Sequence, residues 1–369
     1  MEVTEIIEQV ERGKRLNFDE IMKLYNEADL FTLGRLASAI RFRKRPEPYV
    51  SYVVDRNINY TNICVCGCKF CAFHRPPGHP EGYVISRDEL RRKIQETVEL
   101  GGTQILLQGG HHPDLDISFY EDMLRFIKTE FPSIHVHAFS PPEIAFWARR
   151  EGLTVREVIG RLIKAGLDSI PGGGAEILVD EVRKAVSPNK CSSSEWLEVM
   201  EEAHRLGLKT TATMMFGHVE KREHRVQHLL AIRELQDRTG GFTAFIPWTF
   251  QPRNTKIPKK MPEMSVEYLR LLAISRIALD NFDNVQASWV TMGPYVAQTA
   301  LFFGANDFGS TMIEENVVAA TGVSFRMSIS EIKRLIERAG FIPRQRTMAY
   351  EWVDEVHKSK MGMDNERMG

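Results

Sequence analysis

Hydrophobic positions along the chain change their period repeatedly, which predicts alternating strands and helices. Short runs of apolar or β-branched residues, typical of buried strands, occur at 52–63, 103–110, 134–140, 167–173, 209–217, 242–250 and 284–290, with a weaker run at 305–311. Segments of helical period lie between them, for example at 87–100, 118–130, 194–206 and 265–281. This alternation is typical of parallel strands joined by crossover helices. Eight strands indicate an α/β fold of the (β/α)8 barrel type, with an open or partial barrel as the alternative.

The regions on either side of these strands have different patterns. Segments of helical period at 3–12 and 18–40 predict an N-terminal helical extension, which we place at 1–48. The barrel is expected to cover 49–346. The end of the chain is polar and has no period, so we expect a C-terminal tail at 347–369.

Composition and charge exclude several classes of protein. The chain has 369 residues, of which 43% are hydrophobic and 26% charged, as in globular enzymes. Its formal net charge is -1, so no overall field favours nucleic acid or an anionic membrane. No apolar run approaches the ~20 residues that span a bilayer, and the N-terminal segment lacks the apolar stretch of a signal peptide. We expect a cytoplasmic enzyme with no nucleic-acid or membrane partner.

Three cysteines, Cys64, Cys68 and Cys71, form a C-x3-C-x2-C array in a loop at 64–71, directly after the first strand. Thiolates with this spacing can bind three irons of a [4Fe-4S] cluster and leave the fourth iron open to a chelating ligand. Cys66 lies inside the array, so a structural zinc site with four thiolates is the alternative. Zinc sites usually combine two separate cysteine pairs, and the fifth cysteine lies far downstream. The pattern favours the cluster, with Cys66 as an ordinary small residue.

Glycines follow two of the predicted strands. Gly109 and Gly110 come after the second strand, where a residue without Cβ lets the backbone approach a ligand closely. A glycine run at 172–174 leads into a helix expected near Glu176 and would offer backbone amides to an anionic group. In each place a simple tight turn is the alternative.

Histidines and tryptophans also lie at predicted strand ends, where a barrel has its active site. His111 and His112 are adjacent and point to opposite faces of a strand, so at most one of them faces the site. His218 follows the fifth strand and is a second candidate for proton transfer. Trp248 and Trp289 are expected either to stack on an aromatic substrate or to fill the barrel mouth.

Longer stretches of the chain carry a resemblance to a known family. The span from Tyr52 to about Arg346 resembles the menaquinone and deazaflavin branch of the radical S-adenosylmethionine (SAM) enzymes. Within this branch it is similar to the cyclic dehypoxanthine futalosine synthases, in the strings DRNINYTN, QGGHHPDL, HAFSPPEI, LDSIPGGGAEIL, TATMMFGHVE, FIPWTFQP, QASWVTMGP and DFGSTMIEENVV. Aminofutalosine synthases share the cysteine motif, PGGGAEI and GHVE but differ at DRNINYTN, QGGHHP, IPW and SWVT. They and the deazaflavin synthases are the alternatives. Cys66 departs from the family pattern.

The resemblance implies a [4Fe-4S] cluster on Cys64, Cys68 and Cys71, with SAM bound to the open iron as a co-substrate. It implies that a 5′-deoxyadenosyl radical abstracts the C4′ hydrogen of dehypoxanthine futalosine, a step of the futalosine pathway to menaquinone. The resulting carbon radical would attack the benzoate ring of the substrate. A flavodoxin or ferredoxin is the expected electron donor.

Position at the strand ends, together with the resemblance, gives expected roles to single residues. Residues expected near SAM are Phe70, Gly109, Gly110, Glu176 and Glu220. Residues expected to contact the substrate are Arg56, Trp248 and Trp289. Arg56 is expected to bind the benzoate carboxylate, which a planar guanidinium matches well; a structural ion pair with a neighbouring helix is the alternative. Proton transfer is expected from His111 or His218.

Overall fold

The structure, a computed structural model, describes residues 2–257, 264–323, 325–356 and 358. The strands are β1 (Tyr49–Val53), β2 (Asp55–Asn59), β3 (Gln104–Gln108), β4 (His135–Ala138), β5 (Ser169–Ile170), β6 (Lys209–Phe216), β7 (Phe242–Thr249), β8 (Asn284–Val285), β9 (Asp307–Ser310) and β10 (Ile342–Gln345). The helices are α1 (Val3–Glu11), α2 (Phe18–Glu27), α3 (Leu30–Lys44), α4 (Arg87–Glu99), α5 (Ile117–Glu130), α6 (Pro141–Glu151), α7 (Val155–Ala165), α8 (Asp180–Val186), α9 (Ser193–Arg205), α10 (Arg222–Thr239), α11 (Met264–Ala278), α12 (Trp289–Met292), α13 (Pro294–Ala300) and α14 (Ile329–Arg338).

Strands β2 to β8 form one curled parallel sheet in chain order. Strand β1 pairs in parallel with β9 and β10 in a second sheet. The two sheets are joined on one side because a single residue separates β1 from β2. On the other side, Asn306 N donates to Val285 O (3.1 Å) and Ala287 N donates to Asp307 O (2.9 Å), which connects β8 to β9. The strands therefore curl into an α/β barrel, and β9 lies where the weak eighth strand was predicted.

Several segments differ from the sequence prediction. The strand predicted at 52–63 belongs to two strands, β1 and β2, and the strand predicted at 167–173 has only two residues in β5. The helical pattern at 18–40 folds as α2 and α3, because Asp29 Oδ1 accepts hydrogen bonds from two amides, at 3.0 Å each, and starts a new helix. The strand predicted at 284–290 has only two residues in β8, and Trp289 begins α12. The split of the helical pattern arises because a polar side chain caps a helix. At the end of β8, Ser288 N donates to the Tyr268 hydroxyl at 2.7 Å instead of to a neighbouring strand.

The N-terminal helices pack against the side of the barrel. Tyr25 OH donates to Glu267 Oε1 on α11 at 3.0 Å. The buried guanidinium of Arg41 donates to Tyr49 O at 2.7 Å and so holds the chain where β1 begins. Among the described residues, no helix is long and apolar enough to cross a membrane.

The chain after β10 packs at the N-terminal end of the barrel. Met348 is 4% exposed, and the ring of Trp352 lies edge-on to Tyr49 with centroids 5.7 Å apart. These residues belong to the segment predicted as a tail at 347–369, of which 357 and 359–369 lie outside the described residues. The first residues of that segment contribute to the barrel wall.

Candidate active site

A cavity of about 260 Å³ occupies the barrel interior. Side chains alternate along each strand, and those that point inward are mostly polar: Asp55, Asn57, Gln104, Gln108, His137, Thr211, Thr213 and Gln286. Glu176, Trp248 and Trp289 line the cavity near the carboxyl ends of the strands, while Met348 and Tyr350 line it from the segment after β10. Branched apolar side chains fill the interior of an ordinary barrel, so this interior is suited to a polar ligand.

Arg56 lies on the outer face of β2, contrary to its predicted role. Its neighbours Asp55 and Asn57 line the cavity, so Arg56 points the other way. Its Nη2 lies 2.8 Å from Glu96 Oε2 on α4, and its Nη1 lies 3.8 Å from Glu314 Oε2. The prediction that Arg56 binds the substrate carboxylate is wrong, and the structural ion pair with a neighbouring helix is present instead.

Three buried polar atoms of the cavity wall have no hydrogen-bond partner among the described residues: Asn57 Oδ1, Gln104 Oε1 and Tyr350 Oη. Leaving a buried polar group unpaired costs about 1–3 kcal/mol. A ligand that supplies the missing partners removes this cost, so we treat the three atoms as a polar binding subsite. Sequence reasoning missed them, although the alternation of polar residues along β2 was a usable signal.

The cysteine loop begins a few residues after β2 and is tied to its surroundings by backbone hydrogen bonds. Cys64 N donates to Arg75 O (2.9 Å), and Val65 N donates to His111 O (3.1 Å). Cys66 and Cys68 are buried, whereas Cys64 and Cys71 are half-buried. The loop therefore has a defined position beside the end of β3.

Cys66 acts as a hydrogen-bond donor within this loop. Hydrogen bonding from the Cys66 thiol lowers the pKa of Cys64 to about 6 and also lowers the pKa of Cys68. The same contacts raise the pKa of Cys66, and burial raises the pKa of Cys71. Cys66 Sγ also lies 2.9 Å from His111 Nδ1. Cys64 and Cys68 thus have the stronger thiolate character. The pKa of Cys71 is raised like that of Cys66, so these directions do not separate Cys66 from the ligand set, and its place outside that set stays a prediction.

Buried charges connect the loop to the cavity. Lys190 Nζ lies 2.9 Å from Glu176 Oε1, and Arg183 Nη1 lies 3.4 Å from Glu176 Oε2. Burial opposes the charged form of Lys190, but the negative charges of Cys68 and Glu176 outweigh it and raise the Lys190 pKa. Lys190 Nζ is also 5.1 Å from the centroid of the Phe70 ring. Two cations share one carboxylate here, so a net positive charge lies beside the thiols.

Glu176 itself has a left-handed backbone, with φ of 43°. Residues other than glycine seldom adopt this conformation, and they are found in it mainly at functional sites. The side chain of Glu176 lines the cavity while its carboxylate bonds to Lys190. Sequence reasoning identified Glu176 but missed Lys190, because no motif marks that lysine.

Gly109 and Gly110 pack against other parts of the chain. A Cβ on Gly109 would lie 2.4 Å from the Tyr60 ring, and one on Gly110 would lie 2.2 Å from Ile63 O and 2.8 Å from Cys64 Cβ. The close backbone approach predicted from these glycines is therefore an approach to the cysteine loop and its flanks. Their proximity to SAM stays a prediction.

His218 and Glu220 form a buried turn after β6 that does not line the cavity. His218 Nε2 lies 3.0 Å from Met215 O. Glu220 accepts from Gly217 N (2.6 Å) and His218 N (2.8 Å), and it pairs with Arg225 at 2.7 Å. The structure does not place either side chain in contact with the barrel interior, so the predicted catalytic role of His218 and SAM contact of Glu220 are not supported. The turn folds back on β6, which the spacing could not show.

Other predicted residues are placed differently. His111 contacts Cys66 rather than the cavity, and burial lowers its pKa to about 3. Trp248 and Trp289 both line the cavity. Trp289 Nε1 donates to Ser310 O at 3.0 Å, and Trp248 packs in a small apolar cluster with Phe70. Contact of the two tryptophans with substrate stays a prediction.

His137 is a cavity residue that sequence reasoning missed. It lies in β4, where His135 and His137 share the inward face. His137 Nδ1 and His135 Nε2 each lie 2.7 Å from Ser169 Oγ on β5. The signal was the sequence HVHA in a predicted strand, in which two polar residues alternate with apolar ones.

Comparison with known proteins decides the family. Residues 58–232 match the family model of the Radical SAM superfamily, and residues 239–359 match that of the CofH/MqnC C-terminal region. The cyclic dehypoxanthine futalosine synthase of Halalkalibacterium halodurans is 48% identical over 96% of this chain and 95% of its own length. The chain belongs to the cyclic dehypoxanthine futalosine synthase family of radical SAM enzymes.

Two further relatives of this chain are named for different reactions. The cyclic dehypoxanthine futalosine synthase of Streptomyces coelicolor is 46% identical over 94% of this chain and 88% of its own length. The 5-amino-6-(D-ribitylamino)uracil–L-tyrosine 4-hydroxyphenyl transferase of Archaeoglobus fulgidus is 42% identical over 92% of this chain and 97% of its own length. The sequence identity of this chain to the two futalosine synthases is thus a few percentage points higher than its identity to the transferase.

Solved structures show the same fold. Methylornithine synthase (PylB) superposes with a TM-score of 0.72 at 16% identity, over 92% of this chain and 97% of that chain. The FeFe-hydrogenase maturase HydG from Carboxydothermus hydrogenoformans gives 0.75 at 19% identity, over 94% of this chain and 80% of that chain. The α/β barrel of the radical SAM family is therefore shown.

The cysteine loop fits the cofactors of this family, a [4Fe-4S] cluster and SAM. A structural zinc ion takes four ligands that converge on one point at about 2.0–2.3 Å. The irons of a cluster instead bind one thiolate each. The net positive charge at Lys190 and Arg183 suits an anionic cluster next to the loop.

Proposed function

We propose that this radical SAM enzyme converts dehypoxanthine futalosine to cyclic dehypoxanthine futalosine, in the futalosine pathway of menaquinone biosynthesis. The proposal rests on one structural observation: Glu176 joins the cysteine loop, through Lys190, to a polar cavity inside the barrel. A radical generated beside the loop would therefore meet a polar substrate held in the barrel. The relatives of H. halodurans and S. coelicolor, named for this reaction, support the choice of substrate.

The cavity supplies binding and shielding. When bound on the cysteine loop, the cluster and SAM would supply the radical chemistry that removes the C4′ hydrogen of the substrate ribose. Asn57 Oδ1 and Gln104 Oε1 accept hydrogen bonds from substrate hydroxyls, since a carbonyl oxygen needs a donor. Trp248 and Trp289 cover the cavity on the cluster side and exclude water, which protects a radical from side reactions. The benzoate ring is held near C4′, so that the two carbons meet without diffusion.

Arg346 replaces Arg56 as the cation for the benzoate carboxylate. It is buried and lines the cavity, where its Nε pairs with Asp307 and its Nη1 donates to Thr347 O at 3.2 Å. These bonds leave donors of the planar guanidinium for a ligand oxygen. Tyr350, whose Oη lacks a partner, lies beside it with its ring centroid 4.0 Å from the guanidinium carbon.

The experiment is an anaerobic assay of reconstituted, reduced enzyme with SAM. Dehypoxanthine futalosine should give the cyclic product, with one 5′-deoxyadenosine formed for each product molecule. Substrate deuterated at C4′ should transfer its label to 5′-deoxyadenosine. Absence of both the product and the label transfer contradicts the proposal.

A second candidate is the 4-hydroxyphenyl transferase reaction, favoured by the 42% identity to the A. fulgidus relative. A parallel assay with 5-amino-6-(D-ribitylamino)uracil and L-tyrosine tests it. A third arm with the enolpyruvyl-benzoate ether tests the aminofutalosine synthase alternative. Product from either arm alone assigns the enzyme to that reaction.

We further propose a reducing, cytoplasmic setting with flavodoxin or ferredoxin as the electron donor. The five cysteines are all free thiols in the structure, which is typical of a reducing compartment. Reduction of the cluster requires a low-potential donor of single electrons, a role that a flavodoxin or ferredoxin fills. Replacement of dithionite by reduced flavodoxin should sustain product formation, and failure with both protein donors contradicts this part of the proposal.

A further inference from the structure

The side chains of His137, Ser169 and His135 form a hydrogen-bonded chain inside the barrel. Ser169 Oγ lies 2.7 Å from His137 Nδ1 and 2.7 Å from His135 Nε2. His137 lines the cavity, whereas His135 is half-buried at the start of β4. The chain therefore runs from the proposed substrate site toward the N-terminal end of the barrel.

The serine hydroxyl has one proton, which fixes how this chain can be arranged. In the first arrangement, Ser169 donates to His137 and His135 donates to Ser169. In the second, His137 donates to Ser169 and Ser169 donates to His135. In the second arrangement His137 Nδ1 carries a proton and its Nε2 is a free acceptor. The hydrogen bond of the ring among the described residues is made by Nδ1, and the ring lines the cavity. A proton that arrives at Nε2 is balanced by one that leaves Nδ1 toward Ser169.

Charges around the chain favour transfer in this direction. Burial, followed by the positive charges of His135 and Arg346, lowers the pKa of His137 well below its ordinary value, so His137 is neutral and able to accept a proton. Burial lowers the pKa of His135 as well, while the carboxylate of Asp168 raises it and Lys128 lowers it. Unlike His137, His135 thus has a carboxylate that favours its charged form. A proton passed along the chain is therefore better accommodated on His135 than on His137.

The other acidic groups of the cavity are already occupied. Asp55 accepts from the Ser310 hydroxyl and, at 2.8 Å, from Gln104 Nε2. Glu315 accepts from the amides of Val317, Val318 and Ala319, each at 2.9 Å. Burial raises the pKa of both carboxyls, and the third acidic residue, Glu176, is paired with Lys190. The carboxylates are thus engaged in holding the barrel wall, whereas the ring of His137 lines the cavity with only its Nδ1 bonded to Ser169.

We propose that His137 is the base that removes the ring proton during cyclisation, and that Ser169 and His135 relay this proton away from the substrate. The inference rests on the proposed function. The ring carbon that forms the new carbon–carbon bond loses its proton to His137 Nε2. Of the two electrons of that C–H bond, one pairs with the unpaired electron of the ring and restores aromaticity. The other passes to a one-electron acceptor of the iron–sulfur class.

The test measures cyclic product and 5′-deoxyadenosine in the same reactions of the reconstituted enzyme. His137→Gln should lower the ratio of product to 5′-deoxyadenosine by about 100-fold, within the usual range for loss of a catalytic base. Hydrogen abstraction precedes the proton loss, so label transfer from C4′-deuterated substrate should remain within about twofold of wild type. His224→Gln, a histidine on α10 outside the cavity wall, is the matched control and should keep the wild-type ratio.

Ser169→Ala tests the relay without changing His137. It should lower the product ratio by about tenfold, a weaker effect because the base is still present, and Ser169→Thr should restore the ratio by restoring the hydroxyl. Iron content and thermal unfolding of each variant are compared with wild type. If His137→Gln does not fold, the Ser169 pair still decides the question.

Three outcomes overturn the inference. An unchanged product ratio in His137→Gln rules out His137 as the base. Equal loss of 5′-deoxyadenosine and product, with a raised KM, assigns His137 to substrate binding. An equal fall of the product ratio in Ser169→Ala and Ser169→Thr would show that the hydroxyl is not what matters, and it contradicts the relay. Absence of cyclic product from the wild-type enzyme is a separate result that contradicts the proposed function itself.

Discussion

Lys190 and Glu176 form a buried ion pair, 2.9 Å between Nζ and Oε1, at the point where the cysteine loop meets the cavity. Arg183 also contacts Glu176, so one positive charge is not neutralised. That charge lies beside Cys68, whose negative charge helps to raise the Lys190 pKa. The pair therefore has an electrostatic role toward the cluster as well as a structural one toward Glu176.

Removal of this charge should lower the reduction potential of the cluster. We expect Lys190→Met to shift the midpoint by on the order of 60 mV to more negative values, a tenfold change for a one-electron couple, because the reduced cluster is the more anionic form. Lys190→Arg should remain near wild type. Lys184→Met, at an exposed lysine on α8, is the control. Redox titration followed by electron paramagnetic resonance measures the shift, and equal midpoints for all variants contradict the role.

Serine substitutions separate ligand cysteines from Cys66. Cys64→Ser, Cys68→Ser and Cys71→Ser should each lose most of the bound iron, because each is expected to hold one iron. Cys66→Ser should keep iron content and SAM cleavage near wild type, since the C-x3-C-x2-C array is complete without Cys66, whose Sγ lies 2.9 Å from His111 Nδ1. Iron and sulfide analysis provides the measurement. Loss of iron in Cys66→Ser with retention in Cys68→Ser would reverse the assignment.

Gly110→Ala should disturb the cysteine loop. Its Cβ would lie 2.2 Å from Ile63 O, a backbone atom that cannot rotate away. We expect lower iron occupancy after reconstitution and a destabilisation of about 1–3 kcal/mol, as for other overpacked sites. The control is Gly160→Ala in α7, where a Cβ would meet no atom within 4 Å. That change should be neutral or stabilising by up to about 1 kcal/mol. Similar iron content in both variants would contradict the prediction.

Arg56→Met should affect stability rather than substrate binding. The side chain of Arg56 is 9% exposed and pairs with Glu96, which is 38% exposed. Since the pair is only partly buried, we expect a loss of about 1–2 kcal/mol in the free energy of unfolding, with KM unchanged. Arg92→Met, which removes the exposed partner of the same Glu96, should cost clearly less than Arg56→Met, because solvent screens an exposed pair. A raised KM in Arg56→Met would restore the original prediction of a substrate contact.

Stability should fall with acid through His228. Its Nδ1 accepts from Leu178 N at 3.0 Å, and burial lowers its pKa to about 3. Because this value is below that of an unfolded histidine, the unfolded chain binds the proton first, and stability is lost as pH falls from about 6.5 toward 3. Between pH 6.5 and 4.5 this group contributes at most about 2.7 kcal/mol. In His228→Asn, which cannot titrate, chemical denaturation should show a correspondingly smaller loss, and an identical loss would contradict the assignment.

Local patterns predicted the barrel, because strand and helix periods depend on nearby residues. For the polar residues of β2, the same patterns did not predict which side chains point into the barrel. The stretch Asp55–Asn59 reads as polar at four of its five positions, so hydrophobicity could not tell which face is inward. Asp55 and Asn57 point into the cavity and Arg56 points out, the reverse of the expectation for Arg56.

The remaining errors have a related cause. Polar residues normally face solvent, but the inward face of β4 carries His137, which lines the cavity, and His135, two positions before it. His218 was misplaced because a turn can return a side chain to its own strand. Lys190 comes from a loop after α8, and only tertiary structure brings it next to the cysteines.

Strand β1 has a consequence for synthesis of the chain. Its pairing partners are β9 and β10, and β10 leaves the ribosome roughly 290 residues later, a delay of about 15–60 s at ordinary translation rates. Until then the edges of β1 have no native partner. Long-range pairing of this kind slows folding and exposes strand edges to aggregation. Truncation before β10, or rapid overexpression without chaperones, should therefore yield insoluble protein even though the cysteine loop and cavity residues of the first six strands are complete.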